Sequence, residues 1–430
     1  MSKPTIGFAG MTHLGLVSGV AASQKGFQAV CFDTDKAKIN NLLSGNLPIS
    51  EPRLEDLINI NSDKLTFTAS SNELGKCDVI YVAPDVSTDD HGQSDLSVLN
   101  NLLDIVFNAS NPEATIVILS QVPPGFTRGR YDGKRSLYYQ VETLIFGKAV
   151  ERALFPERYI VGCANPRDCL PKSYREFLET YDCPVLPMRY ESAELAKISI
   201  NMFLVASVTT TNTLAELCEN IGADWSEISP ALRLDKRIGS HAYLSPGLGI
   251  SGGNLERDLA TICKYAKRHK LDAGLVLACI KNSQRRKEWP VEQLEKLIDL
   301  QNASNVIGIL GLAYKENTHS TKNSPALKAI SQLQGVTVKV YDPIVVWKNS
   351  WHKHFILATN PREVLDGVNA LMILTPWQEF KDQEFLSILA SRLKGIPIID
   401  PYGLVPLILI ENNKLEVYSL GKYCNHDESK

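Results

Sequence analysis

The sequence predicts an α/β protein of two Rossmann-like, doubly wound parallel-sheet domains joined by a central long helix and a helical dimerisation region. Three observations carry this. Near the N-terminus a short apolar run, a glycine turn, an apolar helix pattern and a second apolar run ending in an acid follow one another. From Glu191 to Glu219 apolar residues recur at helical spacing with no proline or glycine to interrupt them. From Asn305 a second strand, turn, helix and strand series begins. The chain divides on this reading into residues 1–190, 191–300 and 301–430, in line with the ~100–200 residues of a typical domain.

The first series is Thr5–Ala9, then Gly10-Met-Thr12-His13-Leu14-Gly15, a helix pattern over Leu16–Gln24, and the run Gln28–Phe32 ending at Asp33. This is the βαβ order of a dinucleotide site. The turn places a pyrophosphate at a helix N-terminus, and the acid accepts from a ribose hydroxyl. Asp33 points to NAD rather than NADP, because it would repel a 2′-phosphate. Thr12 stands where a glycine normally lets the backbone close on the pyrophosphate, so it either narrows the site or adds a hydroxyl contact. A domain of this shape that holds no cofactor is the alternative. Further strands are expected at Asp78–Pro84 and Ala114–Ser120, with a helix ending at Ala109 between them.

A net charge of −3 gives no reason to expect nucleic acid or an anionic membrane as partner. No uninterrupted apolar run reaches the ~18–20 residues of a membrane span. The N-terminal residues lead directly into the first strand pattern, with no signal peptide visible. Nine cysteines lack metal-type spacing, which fits reduced thiols in a cytoplasmic protein without a metal site. The last residues, Asn425–Lys430, read as a frayed tail.

The stretch Pro246–Asp258, PGLGISGGNLERD, holds Gly247, Gly249, Gly252 and Gly253, then Asn254, Glu256, Arg257 and Asp258. It reads either as an ordinary connector or as a loop that wraps a small ligand, since glycine allows close backbone approach, and then starts a helix. It resembles the catalytic loop of the UDP-glucose/GDP-mannose dehydrogenase family, PG-x-GFGGSCFPKD, and the resemblance extends over nearly the whole chain. The family's nucleophilic cysteine falls on Asn254. Its Phe, Pro and Lys fall on Leu255, Glu256 and Arg257, and Asp258 is kept.

The same resemblance assigns further roles. Lys38 falls near the adenosine ribose. Ala83 replaces a threonine, and Gln121 replaces the threonine that helps hold a catalytic water. Cofactor contacts are implied at Gly10, Thr12, His13, Leu14, Gly15, Asp33, Lys38, Ala83, Gln121 and Lys322. Glu142 matches the first glutamate of a conserved family segment, and Phe146 replaces the second. Lys197 and Asn201 lie four apart on the long helix and project from one face. In the family they face the reacting sugar carbon, where a lysine stabilises a developing alkoxide. Substrate contacts are implied at Thr143, Leu144, Tyr243, Leu244, Gly249 and Lys315, and at Arg237, which would reach across a homodimer interface. Asn212 matches another family asparagine. Lys322 keeps the charge of a family arginine without its fork. At Tyr402 an arginine contact is lost.

The family's full reaction takes a sugar C6 alcohol to a carboxylate with two NAD, through a thiohemiacetal on the cysteine. An asparagine amide is neither basic nor nucleophilic enough for that step, so Asn254 only hydrogen-bonds. Lys197, Asn201, Asp258 and Glu142 remain for the first step. The expected activity is NAD-dependent two-electron alcohol or aldehyde oxidoreduction on a nucleotide sugar, a UDP-hexose by default. The alternative is an impaired paralogue that binds NAD and a sugar nucleotide in a regulatory or structural role. The residues at Thr12, Gln121, Phe146, Asn254 and Tyr402 favour it.

Overall fold

The computed structural model describes residues 3–89 and 94–423, so the expectation for Asn425–Lys430 lies outside the described residues. An eight-stranded sheet dominates the N-terminal part. Its strands are β1 (Ile6–Ala9), β2 (Ala29–Phe32), β3 (Leu65–Thr68), β4 (Val79–Val82), β5 (Thr115–Ile118), β6 (Leu137–Gln140), β7 (Tyr159–Cys163) and β8 (Val185–Arg189). They lie in the order β8-β7-β6-β5-β4-β1-β2-β3. All neighbours are parallel except β6 and β7. Strands β1, β2, β4 and β5 are buried throughout. That is why they read as unbroken apolar runs rather than as alternating ones.

Helices cover both faces. One core packs α1 (His13–Gln24), α2 (Lys36–Leu43), α3 (Leu54–Ile60), α6 (Ala149–Leu154) and α7 (Lys172–Glu179) on the sheet. The other packs α4 (Ser97–Ala109) and the start of α8 (Tyr190–Ile221), while α5 (Phe126–Arg130) follows β5. Helix α1 starts at His13, three residues before the apolar pattern, because Gly10 turns the chain at φ +100° and Thr12 is already the N-cap. Strand β4 is shorter than the apolar run around it. The Asp78 carboxylate accepts from Thr5 N at 2.8 Å, and Pro84 has no N–H for a ladder. The single helix expected over Glu191–Glu219 is α8. Its most apolar 18-residue window has a mean hydropathy of 1.2, which by length and composition alone is enough to cross a membrane.

The chain divides into compact units at Ile200–Asn201, within α8. In the second unit α9 (Trp225–Leu234), α10 (Asn254–His269) and α11 (Gly274–Glu295) precede a six-stranded parallel sheet. Its strands are β9 (Val306–Leu310), β10 (Thr337–Tyr341), β11 (Phe355–Leu357), β12 (Ala370–Ile373), β13 (Ile398–Ile399) and β14 (Val417–Tyr418), in the order β11-β10-β9-β12-β13-β14. Helices α12 (Pro325–Gln332), α13 (Pro361–Val364), α14 (Gln383–Arg392) and α15 (Leu407–Asn413) accompany it. Glu219 anchors the end of the sheet to the helices. Its carboxylate accepts from buried Arg286, from Trp289 Nε1 and from Gly421 N, each at 2.8 Å.

Candidate active site

In the first unit the sheet order reverses between β1 and β4, and the crevice at their carboxyl ends is where such sheets bind ligands. The turn there needs its glycines for packing as much as for a ligand. A Cβ on Gly10 would lie 2.8 Å from Pro84 N, and one on Gly15 would lie 2.0 Å from the Gly10 carbonyl oxygen. Buried Asp33 ties the turn to β2. Its Oδ2 accepts from Met11 N at 2.7 Å and from Lys38 Nζ at 2.8 Å, and its Oδ1 accepts from Asp35 N at 3.0 Å. The Thr12 hydroxyl donates to the Ala83 carbonyl at 3.2 Å and accepts from Asp85 N at 3.0 Å. It is therefore held against the end of β4. A cleft of about 320 Å³ opens beside the turn, lined by Gly10, Thr12, Asp33, Lys38, Pro84 and Asn101 among others. Leu14 and Ala83 are buried in the core behind it, and Gln121 is half-buried after β5.

Glu142 follows β6 in a loop that also carries Thr143 and Leu144. Lys197 of α8 donates to the Glu142 carbonyl at 2.9 Å and stands 3.6 Å from its carboxylate, with the two side chains only 14% and 18% exposed. The carboxylate also accepts from Leu144 N, and Arg152 holds the Thr143 carbonyl at 2.6 Å. One turn before Lys197, fully buried Glu194 accepts from Gly125 N at 2.6 Å and Thr127 N at 2.8 Å, capping α5. Burial pushes this carboxyl above its usual range, and the two N–H groups pull it back. Its position in the motif with Lys197 was legible, but its capping task was not.

The second unit brings together Asn201 and Asp258. The Asn201 amide donates to Asp258 Oδ2 at 2.5 Å, and both are buried. Buried Arg257 stands 3.7 Å from the other Asp258 oxygen. Asn254 is the exposed first residue of α10. The loop before it is clamped by the segment after β9. Gly252 donates to the Lys322 carbonyl at 3.0 Å. A Cβ on Gly252 would meet the Tyr314 ring at 3.0 Å, and one on Gly253 would meet the Lys322 side chain at 3.4 Å. The Asn323 amide donates to the Gly252 carbonyl at 3.3 Å and to the Glu256 carboxylate. Lys287 stands 3.4 Å from Glu256; burial lowers its pKa, opposed by that carboxylate. Nothing in the sequence marked Tyr314 or Asn323 as partners of this loop.

Gly249 has φ +80°, and a Cβ there would lie 2.3 Å from the Ser283 carbonyl, so packing against α11 already demands a glycine. Asn212 accepts from Gly247 N at 2.8 Å. The Tyr243 carbonyl accepts from the Ser207 and Thr211 hydroxyls, and the Leu244 carbonyl from Trp225 Nε1 at 2.7 Å. Arg237 is exposed and pairs with Asp235 at 2.6 Å. Lys315 Nζ lies 5.8 Å from the centre of the Tyr314 ring. The Tyr402 hydroxyl donates to the Leu374 carbonyl at 3.2 Å. Among the described residues no group of three or more His, Cys, Asp or Glu is placed to hold a metal ion.

A glycine turn closed by an acid at the switch point of a parallel sheet defines a dinucleotide-binding domain. Residues 4–178 match the NAD binding domain of the UDP-glucose/GDP-mannose dehydrogenase family, residues 191–284 its central domain and residues 308–405 its UDP binding domain. A UDP-glucose 6-dehydrogenase of Rickettsia prowazekii (strain Madrid E) is 31% identical over 432 residues, covering 97% of this chain and 99% of the relative. The UDP-glucose 6-dehydrogenase TuaD of Bacillus subtilis (strain 168) is 30% identical, covering 97% and 93%. The solved structure of a UDP-glucose dehydrogenase from the hyperthermophilic archaeon Pyrobaculum islandicum is 23% identical and shares the fold, with a TM-score of 0.84 over 98% of each chain. The chain belongs to the UDP-glucose/GDP-mannose dehydrogenase family and is by that membership an NAD-dependent nucleotide-sugar dehydrogenase.

Proposed function

We propose that this chain oxidises or reduces a nucleotide-linked hexose, UDP-glucose by default, at C6 by two electrons and stops short of the covalent route to the acid. The observation that carries this reading is the close Glu142–Lys197 pair, retained in a chain whose residue 254 is an asparagine. The Lys197 ammonium is a fixed charge for a developing alkoxide, with Glu142 beside it to hold a proton. In the second unit Asp258, hydrogen-bonded to Asn201, is assigned a catalytic role by the family resemblance. The Asn254 amide is no nucleophile. Cys263 stands nine residues further along α10, half-buried, its thiol pushed up by burial.

The first unit fits NAD. Gly10 and Gly15 carry no side chain, the Thr12 hydroxyl is held against the end of β4, and Asp33 and Lys38 line the cleft beside the turn. When bound, NAD supplies the hydride acceptor. Thr12 and Asp33 shape the turn, Lys38 adds charge at its rim, and Gln121 and Lys322 complete the family's set. Thr143, Leu144, Tyr243, Leu244, Gly249 and Lys315 are assigned to the sugar nucleotide. The boundaries 1–190, 191–300 and 301–430 go with this division of labour. The surface of the helical region exposes Phe203 (79%) and Leu234 (84%), together with Leu217, Ile221, Leu275 and Leu277. Apolar area of that kind supports a homodimer, with Arg237 reaching the partner's substrate, in the cytoplasm.

The test is to count NADH per UDP-glucose consumed and to identify the product. One NADH, with aldehyde trapped, is expected. Two NADH with uronic acid would overturn the two-electron reading. Tight binding of both ligands with no NADH would establish the binding-paralogue reading instead. Asn254→Cys is expected to add a second NADH per sugar.

A further inference from the structure

The strongest feature the proposed chemistry leaves unused is a buried carboxylate, Glu51, between two loops of the first unit. Its Oε1 accepts from His13 Nε2 at 2.9 Å and from Gly147 N at 2.9 Å. Its Oε2 accepts from Gly147 N at 3.0 Å and from Ala149 N at 3.2 Å. The carboxylate side chain is fully shielded from solvent, and the imidazole nearly so. His13 is the first residue of α1, directly after the dinucleotide turn. Gly147 lies in the loop that carries Glu142, Thr143 and Leu144, and Ala149 opens the helix that follows it, α6. A second contact joins the same two segments: the Phe146 ring stacks on His13, with centroids 4.0 Å apart and planes 20° apart.

We propose that Glu51, with the His13–Phe146 stack, is a positioning residue that couples cofactor binding to the geometry of the sugar-nucleotide loop. This rests on the site assignment above. A buried carboxylate shared by three donors has no solvent to replace any one of them, so the network moves as a unit or breaks. Fixing the turn around a dinucleotide fixes His13. Through Glu51 it then fixes the backbone of Gly147 and Ala149, and with it the loop that holds Glu142 close to Lys197. The stacked Phe146 stands where the family carries a second acid, so in this chain that position serves the joint and holds no proton. Glu51 itself lies in a loop ahead of Pro52, with no periodicity or motif to distinguish it from a solvated acid.

The experiment measures the affinities of the intact chain for NAD and for UDP-glucose, each alone and each with the other saturating, by calorimetry. In the wild type, saturating NAD is expected to tighten UDP-glucose binding at least ~5-fold, with the same factor in the reverse direction. Glu51→Gln keeps size and one acceptor oxygen but turns an NH₂ toward the donors. It is expected to reduce the factor below ~2-fold while either ligand alone still binds. Phe146→Ala, at a half-exposed ring, is the second variant should Glu51→Gln fail to fold, and is expected to reduce the factor as well. Two results would overturn the proposal: wild-type affinities independent of each other, or a factor unchanged in both variants. A uniform loss of both affinities at constant factor would show a merely structural role and overturn it too. A wild-type chain that binds neither ligand would instead overturn the site assignment, and this inference with it.

Discussion

The two nucleotide folds of this chain begin identically and then diverge. In each, a glycine ends the first strand with positive φ, +100° at Gly10 and +91° at Gly311. In each, its N–H donates at 2.8 Å to the last residue of the second strand, Phe32 or Tyr341. In each, the next acid accepts from the turn: Asp33 from Met11 N at 2.7 Å, Asp342 from Leu312 N at 2.7 Å and Ala313 N at 3.1 Å. The first fold then enters its helix at once, leaving a cleft with Asp33 and Lys38 at its edge. The second delays its helix to Pro325 and uses the intervening segment to hold the glycine loop before α10 through Tyr314, Lys322 and Asn323. Its acid is sealed, since Asp342 also accepts from Ile344 N, Val345 N and Trp377 Nε1. One local solution to a βαβ turn thus serves ligand access in one place and loop positioning in the other.

The largest test of that comparison is a methyl group in each turn. Gly10→Ala and Gly311→Ala put Cβ atoms 2.8 Å from Pro84 N and 2.4 Å from Thr375 Cβ, at φ values an alanine resists. Each is expected to cost about 3 kcal/mol or more in urea unfolding. Only Gly10→Ala should also remove the rise in melting temperature caused by NAD.

The closed character of the second fold shows at Asp400, whose carboxyl is pushed up to about 6, chiefly by burial, while Val405 N and neighbouring N–H groups pull it down. Its folded value exceeds the ordinary carboxylate value, so the folded state binds the extra proton between about pH 4 and 6. The contribution of Asp400 to stability therefore falls as pH rises through that window. Relative to Asp400→Asn, the wild type is expected to lose about 1–3 kcal/mol between pH 4 and 7. A flat difference across that range would contradict the assignment.

Asn323→Ala removes the amide that bridges Gly252 and Glu256. We expect a cost of about 1–2 kcal/mol and a lower kcat on the sugar nucleotide with NAD affinity unchanged, which stopped-flow and equilibrium titration separate. The smallest effect on stability is expected for Lys38→Ala, under about 1 kcal/mol, because the pair with Asp33 is partly exposed. Its NAD affinity should nonetheless drop several-fold. Equal NAD effects from Asn323→Ala and Lys38→Ala would erase the distinction between the two folds.

Much of this was legible in the residues. The run from Thr5 to Asp33 prescribes a strand, a glycine turn, a helix and an acid, because each step has a local cause: apolar continuity, positive φ, periodicity. The helix over Glu191–Glu219 is equally local. The start of α10 within NLERD followed from the end of the glycine cluster. The glycines at 249, 252 and 253 read as room for a ligand, and the structure fills that room with Ser283, Tyr314 and Lys322. Those neighbours lie 30 to 70 residues away in sequence, where no periodicity reaches.

What the sequence by itself determined, then, is the order and type of the elements, and a family resemblance dense enough to name the candidate residues. Tertiary structure alone decided which carboxylates are free for chemistry. Glu51, Glu194 and Asp342 are indistinguishable from Glu142 as letters. They differ because the folded backbone delivers N–H groups to them, and a buried acid that accepts from several N–H groups is committed to holding the fold.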